Sequence, residues 1–466
     1  MTTTTSTSTG QRTGNPAATG GGMPAARRRR LPVGVAVDIA MLSGVVNTLV
    51  LVLVVFAGAS EPVITGSALL GLASGWALLA VLTTRLTSQP QRWAAVPTVL
   101  MAAPGAGLLA VTPGDGALTA AGWVWPPAAF ALAVWMVRAT RRAMTGYSRW
   151  LLYPVIGALA VTAVGGIVES VALTRDEGRY PMPGASYEVG GHRLHLNCTG
   201  TGSPTVVLEN GMSETSPLWS AISAQVSRTT RVCAYDRAGQ GWSGDAARPQ
   251  DGLAVAADLH TLLARAGEHG PYVLAGHSTG GTLAMTYAAR YPAQVAGLVL
   301  LDSSSPYQFT DQPDFPGTYA MMRRLLPVLP TLARLGAAQL TPPSASTALS
   351  PVAAAKVQAF ATSPRGFANL RDEQSQLRDV FAQAQALTTF DPKPLAVVTA
   401  RENADGTTGW AAAQDRMATL STNSSHWVAD TTHVGLLDDK AGSSDSIRAI
   451  TAVVTAVRSG APLATR

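Results

Sequence analysis

Residues 272–289 have the sequence YVLAGHSTGGTLAMTYAA, which decides the fold of the C-terminal half. The four apolar residues at its start read as a β-strand, and the run after Gly281 reads as a helix. Between them stands the pattern G-x-S-x-G, centred on Ser278. Its glycines permit a tight turn that lifts the hydroxyl above a sheet edge, at a helix N-terminus that stabilises negative charge. The strand and helix favour a nucleophile elbow over an ordinary serine turn.

The composition of the 466-residue chain indicates more than one region and favours membrane segments. Apolar residues make up 47% of the chain and charged residues 13%, a low charged fraction for a soluble enzyme. The net charge of +6 comes from arginines that flank apolar runs, as beside membrane spans. The sequence contains no zinc finger or other recognised nucleic-acid motif, so no nucleic-acid partner is expected.

Five apolar stretches predict a five-helix transmembrane region over residues 31–175. They lie at roughly 33–57, 63–83, 94–112, 120–137 and 150–173, each near the ~20 residues that a bilayer requires. A signal peptide would have a shorter apolar core and no further spans. A buried soluble bundle would carry more charge than Asp38 and Glu169, which lie near the ends of these stretches. Residues 1–30, rich in Thr, Ser and Gly and ending in arginines, predict a disordered basic tail.

Basic residues alternate between the predicted connections. The N-terminal tail and the second and fourth connections carry arginines, whereas the first and third carry only Glu61 and Asp115. Because basic connections face the cytoplasm, five crossings place the C-terminal half outside it. We therefore expect a multi-pass protein of the cell membrane, in contact with membrane lipid, with a cytoplasmic N-terminus.

From residue 187 onward, short strand-like runs alternate with helical segments, which predicts a mainly parallel sheet. The runs are a hairpin at 188–196 and single strands at 205–209, 231–235, 272–275, 297–301, 395–399 and 425–429. Residues 187–460 resemble the α/β-hydrolase fold family. Beyond the elbow, the resemblance rests on LENGM at 208–212, YDRAGQGWS at 235–243 and TH at 432–433. It implies an α/β-hydrolase with an eight-stranded sheet, and the long insertion 303–390 predicts a helical cap.

The resemblance also assigns the partners of Ser278. A serine hydroxyl needs a base within hydrogen-bond reach, and His433, in the loop after the last strand, takes that place. The family's usual position for the acid, after the seventh strand, holds Asn403. Some relatives place the acid after the sixth strand instead, which favours Asp302. Asp405 is the runner-up, and Glu402 is the other neighbour that could serve if the loop after the seventh strand is offset.

The oxyanion hole implied by the resemblance uses the backbone N–H groups of Met212 and Thr279. Asn210-Gly211 departs from the His-Gly of many family members, although backbone donors tolerate that change. The sequence contains no cluster of metal ligands, and neither a metal nor a cofactor is expected. Met321, Met322, Leu325 and Leu326 are expected either to line an apolar pocket or to form the core of the cap.

The chain has two cysteines, Cys198 and Cys233. The family's strand order places their two strands side by side, and a disulfide is chemically permitted outside the cytoplasm. The alternative is a pair of buried thiols.

The sequence thus predicts a membrane-anchored serine hydrolase that acts on an ester or lipid-like small molecule through a Ser-His-Asp triad. Two other classes stay open. The first is a catalytically silent α/β-hydrolase-like domain used for binding or sensing. The second is a transporter with an accessory domain, against which the few polar groups in the spans argue.

Overall fold

The computed structural model describes residues 7–10, 30–341 and 345–463, so most of the predicted tail at 1–30 lies outside the described residues. Helices alone form the first part of the described chain. They are α1 (Val33–Val50, continued by the π-helical turn Leu51–Val55), α2 (Glu61–Leu86), α3 (Ala95–Val111), α4 (Asp115–Ala121), α5 (Trp125–Ala143) and α6 (Tyr153–Arg179).

Four helical segments among the described residues are long and apolar enough to cross a membrane. They are Val33–Val55, Glu61–Leu86, Arg92–Val111 and Tyr147–Arg179. The stretch at 120–137, predicted to be one helix, is not, because α4 and α5 meet at a bend of 40°. Pro126 and Pro127, in the first turn of α5, have no N–H with which to continue the preceding helix. A fifth crossing results if the bent pair counts as one span.

Small residues let the first three helices pack with their backbones in contact. A Cβ atom on Gly75 of α2 would lie 2.9 Å from the carbonyl oxygen of Ala40 in α1. A Cβ atom on Gly66 would lie 2.7 Å from the carbonyl oxygen of Gly105 in α3. Close approach at small residues is typical of helices that associate within a membrane.

The C-terminal half is built on one eight-stranded sheet with the order β1-β2-β4-β3-β5-β6-β7-β8. The strands are β1 (Ala185–Val189), β2 (His192–Thr199), β3 (Val206–Glu209), β4 (Val232–Tyr235), β5 (Tyr272–His277), β6 (Val295–Leu301), β7 (Leu395–Ala400) and β8 (Ser424–Ala429). β2 pairs antiparallel with β1 and β4, and the other neighbours are parallel. The predicted hairpin, the six further strands and the mainly parallel sheet are confirmed.

Helices cover both faces of the sheet, which explains why its central strands are apolar runs rather than alternating patterns. They are α7 (Ser220–Val226), α8 (Gly252–Arg265), α9 (Thr279–Arg290), α15 (Arg401–Gly406), α16 (Trp410–Ala418), α17 (Gly435–Asp438) and α18 (Lys440–Ser459). Leu259 and Met285 belong to the core on one face, and Ile222 and Val453 to the core on the other.

A helical segment lies between β6 and β7, where a cap is predicted. Its helices are α10 (Gln308–Asp311), α11 (Phe315–Leu325), α12 (Leu329–Arg334), α13 (Pro351–Ala361) and α14 (Pro364–Ala384). Tyr319 and Phe381 pack in a cluster with Leu283 of α9, directly after the elbow. Of the four apolar residues expected to line a pocket or form the cap core, Leu326 is buried and Met322 is half-buried. The expectation is wrong for Met321 and Leu325, which are 52% and 47% exposed.

Cys198 and Cys233 form a disulfide. The two residues face each other in the antiparallel register of β2 and β4. The bridge expected from the order of the strands is therefore confirmed, and the alternative of two free thiols is wrong.

Candidate active site

Ser278 occupies the turn between β5 and α9. β5 ends at His277, α9 begins at Thr279, and Ser278 between them has φ 56° and ψ −126°. This backbone conformation is strained for a residue with a side chain, and such strain is concentrated at functional sites. The turn requires glycine on both sides. A Cβ atom on Gly276 would lie 2.5 Å from the carbonyl carbon of Gly280, and one on Gly280 would lie 2.3 Å from the carbonyl oxygen of Glu209.

His433 lies in the loop after β8, and its ring contacts both an acid and the elbow. Nδ1 is 2.6 Å from Oδ2 of Asp302, which directly follows β6. The Asp302 side chain is fully buried, and that of His433 is 26% exposed. The ring centroids of His433 and His277, the residue before Ser278, are 4.5 Å apart. With Nδ1 donating to the carboxylate, Nε2 is the nitrogen that can accept a proton.

The acid in contact with His433 is Asp302 and not the runner-up, Asp405. Asp405 lies 3.9 Å from Arg401, and its side chain is 71% exposed. Asp302 accepts three further hydrogen bonds, from the N–H of Ala400 at 3.1 Å, Nε1 of Trp410 at 2.7 Å and Nδ2 of Asn403 at 2.6 Å. Four donors thus hold one buried carboxylate in a single orientation.

Asn403 occupies the family's usual position for the acid. Its Nδ2 is 2.6 Å from Oδ2 of Asp302 and 3.2 Å from Nδ1 of His433. The amide nitrogen and the Nδ1–H group are both donors, so Asn403 donates to the carboxylate. Asn403 therefore holds the acid against the imidazole, a role that the sequence did not indicate.

A buried ion pair that sequence reasoning missed lies beside His433. Oε1 of Glu214 is 2.5 Å from Nδ1 of His277, and Nε2 of His277 donates to the carbonyl oxygen of His433 at 2.9 Å. Burial disfavours both charges, but the attraction and hydrogen bond between them outweigh it. They lower the pKa of the Glu214 carboxyl and raise the pKa of the His277 imidazole. Oε2 of Glu214 accepts the N–H of Gly211, so the pair joins the loops after β3 and β8.

The sequence contained one indication of this pair: Glu214 is an acidic residue three positions after Gly211, in the predicted oxyanion loop. His277 lies inside the elbow motif, directly before Ser278. No rule of spacing connects the two residues, because they are brought together only by the parallel pairing of β3 with β5.

The two predicted oxyanion donors lie on adjoining segments. Thr279 is the first residue of α9, and Met212 follows β3 in a loop that packs against the same turn. A Cβ atom on Gly280 would lie 2.5 Å from the carbonyl oxygen of Asn210 in that loop. Neither the N–H of Met212 nor that of Thr279 has a hydrogen-bond acceptor among the described residues.

The structure brings His433 and Asp302 together, but it does not join Ser278 to His433. Within the described residues, no hydrogen bond connects Oγ of Ser278 with the imidazole. Catalytic hydrogen bonds of this kind often tighten only in the complex with substrate. The backbone of Ser278 is fixed to the loop of the acid, since its carbonyl oxygen accepts the N–H of Ser304 at 2.9 Å.

Helix α14 of the cap reaches the oxyanion loop through Glu373. Oε2 of Glu373 accepts the N–H of Ser213 at 2.8 Å, and Oε1 pairs with Arg237 at 2.7 Å. Arg237 also pairs with Glu209 at the end of β3, at 2.9 Å. Both Arg237 and Glu209 are buried, and buried charges require such partners. The YDRAGQGWS segment therefore ties the cap to the loop beside the elbow.

A cavity of about 620 Å³ lies between the connections of the N-terminal helices and the cap. Its walls come from residues 58–62, 112–118 and 237–250, and from α14. Ser278, His433 and Asp302 do not line it. This cavity is therefore separate from the candidate catalytic groups.

Comparisons with known proteins support the architecture. A family model described as the alpha/beta hydrolase fold matches residues 204–361. An uncharacterized protein of Schizosaccharomyces pombe is 31% identical over 179 residues, which are 32% of this chain and 33% of that protein. An AB hydrolase superfamily protein of Gibberella zeae is 30% identical over 105 residues, which are 22% of this chain and 33% of that protein. This chain therefore spans a third of the length of either relative.

A similar solved structure is the Cif epoxide hydrolase from Acinetobacter nosocomialis. It matches with a TM-score of 0.51 and 14% identity, covering 62% of this chain and 96% of the other. The chain has an α/β-hydrolase fold. At this identity the likeness concerns the fold alone, so the reaction has to be inferred from the residues at the elbow.

Proposed function

We propose that this α/β-hydrolase is a membrane-anchored serine hydrolase of the esterase or lipase-like kind. Ser278 attacks the carbonyl carbon of an ester while Nε2 of His433 takes the hydroxyl proton. The N–H groups of Met212 and Thr279 stabilise the oxyanion. His433 then protonates the departing alcohol, which leaves an acyl-enzyme. Water, deprotonated by the same nitrogen, releases the acid and regenerates the serine. Asp302 holds the imidazole in the required tautomer and stabilises its charged form.

The observation that carries this proposal is the contact of 2.6 Å between His433 and the buried Asp302, beside the strained turn at Ser278. A base, a buried acid and a serine at a helix N-terminus are the groups that acyl transfer needs. Open backbone donors beside the serine add the fourth requirement. A serine at the elbow argues against the aspartate-based chemistry of epoxide hydrolases and dehalogenases of this fold.

The competing function is a catalytically silent domain for binding or sensing. The observation in its favour is the missing hydrogen bond between Ser278 and His433. A fluorophosphonate probe, which reacts with activated serines, distinguishes the two functions. We expect the full-length protein in membranes to be labelled and Ser278→Ala to lose the label. Ser444→Ala, a change at an exposed serine on α18, is the matched control and should label fully. Absence of labelling in the wild type would establish the silent domain.

A series of p-nitrophenyl esters with increasing acyl length would then identify the substrate range. We propose a small-molecule ester or a lipid-like substrate, because the catalytic half follows directly on apolar helices. Activity on short acyl chains alone would argue against the lipid-like class.

The proposed topology has five crossings within residues 31–175, a cytoplasmic N-terminus and an extracytoplasmic hydrolase domain over 187–460 with its cap at 303–390. The disulfide between Cys198 and Cys233 supports it, because such bonds persist in oxidising compartments. Alkaline phosphatase fused after residue 463 should be active in intact cells, and green fluorescent protein fused there should be dark after Sec export. The reverse pattern would contradict the proposed sidedness.

A further inference from the structure

A short part of the cap, residues 329–340, is packed against the N-terminal helices. It contains α12 and a 3₁₀ turn at Ala337–Leu340. At its centre, Gly336 meets Gly165 of α6 so closely that a Cβ atom on Gly165 would lie 2.1 Å from the carbonyl oxygen of Leu335. A Cβ atom on Gly336 would likewise lie 2.5 Å from the carbonyl oxygen of Gly165. The two backbones are in direct contact, so this cap segment lies at the same level along α6 as Gly165.

Gly165 lies in the apolar part of α6, 12 residues or roughly 18 Å along the axis from Tyr153 at about 1.5 Å per residue. The first polar residue beyond it is Glu169, four residues or roughly 6 Å further along. The hydrocarbon core of a bilayer is about 30 Å thick. A helix that spans it from Tyr153 therefore holds Gly165, and the cap segment beside it, at the level of the distal leaflet's acyl chains.

The polar side chains of the segment face the helices. Arg334 pairs with Asp115 at 2.6 Å and with Glu61. Oγ1 of Thr331 is 2.8 Å from Oγ1 of Thr65 on α2. Nε2 of Gln339 donates to Glu169, a buried acid within α6, at 2.9 Å. Each of these bonds satisfies a polar group that would be costly to leave unpaired in hydrocarbon.

Three leucines of the same segment face outward, while its smaller apolar residues Pro330, Ala333 and Ala338 are buried. Leu332 is 42% exposed, Leu335 is 38% exposed and Leu340 is 86% exposed. This arrangement is the reverse of a water-facing cap helix, which turns polar groups outward and apolar groups inward.

From these contacts we infer that residues 329–340 enter the distal leaflet of the membrane as part of the cap, with the three leucines in contact with lipid acyl chains. The polar side chains of the segment then bond to the spanning helices, and its exposed leucines contact lipid. The guanidinium of Arg334 reaches upward to Glu61 and Asp115 at the ends of α2 and α4, as a long cationic side chain does near a membrane surface. This inference rests on the membrane placement proposed above.

The test uses the full-length protein in phospholipid nanodiscs that contain doxyl-labelled phosphatidylcholine as a quencher. Because both native cysteines are in a disulfide, an added cysteine is the thiol that takes an NBD fluorophore. The test positions are Leu335→Cys and Leu340→Cys. Leu42→Cys, on the exposed face of α1, is the lipid reference, and Leu253→Cys, on α8, is the water reference; their native side chains are 65% and 40% exposed.

We expect the lipid quencher to reduce NBD fluorescence at Leu335 and Leu340 to within twofold of its effect at Leu42, and to leave Leu253 unchanged. Quenching at Leu42 with none at the two cap positions would overturn the inference while leaving the membrane placement intact. An unquenched label at Leu42 would overturn the membrane placement, and the inference with it.

Discussion

Replacing Asp302 by asparagine tests the proposed chemistry most directly, because the change removes one acceptor and little volume. Asp302 uses both carboxylate oxygens. Oδ1 accepts from Ala400 and Trp410, and Oδ2 accepts from Asn403 and His433. An asparagine that keeps its oxygen at the Oδ1 position presents an amide nitrogen to His433. Nδ1 must then accept a hydrogen bond instead of donating one, so the ring proton moves to Nε2.

With a proton on Nε2, His433 has no lone pair for the hydroxyl of Ser278. The analogous change in a serine protease lowers kcat by about 10⁴-fold, which corresponds to about 5 kcal/mol of transition-state stabilisation. We expect a loss of this order for Asp302→Asn, with KM changed little because the acid does not touch the substrate. The assay is steady-state hydrolysis of the best p-nitrophenyl ester, with thermal unfolding as the check that the variant is folded.

The matched control is Asp405→Asn, at the exposed carboxylate that lies away from His433. We expect it to retain activity within twofold. The proposed role of Asp302 is refuted if the folded Asp302→Asn variant keeps more than a tenth of wild-type kcat, or if Asp405→Asn loses as much as Asp302→Asn.

A double variant sharpens the test, because the amide of Asn403 is already 3.2 Å from Nδ1 of His433. Adding Asn403→Asp to Asp302→Asn places a carboxylate on the other side of the same nitrogen. We expect kcat to rise at least tenfold above that of Asp302→Asn alone. Asn403→Asp in the wild type should instead reduce stability, since two carboxylates 2.6 Å apart cannot both be ionised without repulsion.

Three further outcomes are expected. Glu214→Gln leaves the buried His277 without its counter-ion and should cost about 3–5 kcal/mol of unfolding free energy. The deficit should be fullest between pH 4.5 and 6.5, the ordinary pKa values of the two groups. It should shrink as the pH falls through the lowered pKa of Glu214 or rises through the raised pKa of His277, as denaturant titration across pH would show; a pH-independent deficit would contradict the ion pair. Replacing both Cys198 and Cys233 by serine should cost about 3–4 kcal/mol in the chain-entropy model, and an unchanged thermal midpoint would count against that estimate. Gly281→Ala should destabilise the elbow, because its Cβ atom would lie 2.0 Å from a side-chain oxygen of the acid's loop; normal expression and activity would show that this loop moves aside.

The sequence correctly predicted those structural features that a local pattern of residues determines. The alternation of apolar runs and helical segments predicted the eight strands, and the elbow motif located Ser278 on its strained turn. The contact between His433 and Asp302 followed from a resemblance in chain order, and not from any spacing within the sequence. Asn403 occupies the family's usual position for the acid, after β7. Asp302 follows the neighbouring parallel strand β6, so it lies at the same edge of the sheet.

Other features depend on contacts between distant segments, which a single sequence does not encode in a readable way. The pairing of Glu214 with His277 spans 63 positions, and that of Arg334 with Glu61 spans 273. The bend between α4 and α5 was missed because the apolar pattern continues through it, although Pro126 and Pro127 marked it. Met321 and Leu325 were expected in an apolar pocket or in the core of the cap, because the sequence alone does not show how the cap packs. Beside apolar helices, the outside of a protein can be as apolar as its core.

The connection between α6 and β1 is only five residues long, from Tyr180 to Gly184. Hydrogen bonds hold it at both ends. Nε1 of Trp242 donates to the carbonyl oxygen of Tyr180 at 3.0 Å, and Nε2 of His195 lies 2.7 Å from the carbonyl oxygen of Pro183. An enzyme on a loose stalk could sweep a wide volume around its anchor. Under the proposed membrane placement, this short and fixed connection gives the α/β-hydrolase domain no such freedom, so a substrate would have to come to one fixed height above the lipid headgroups.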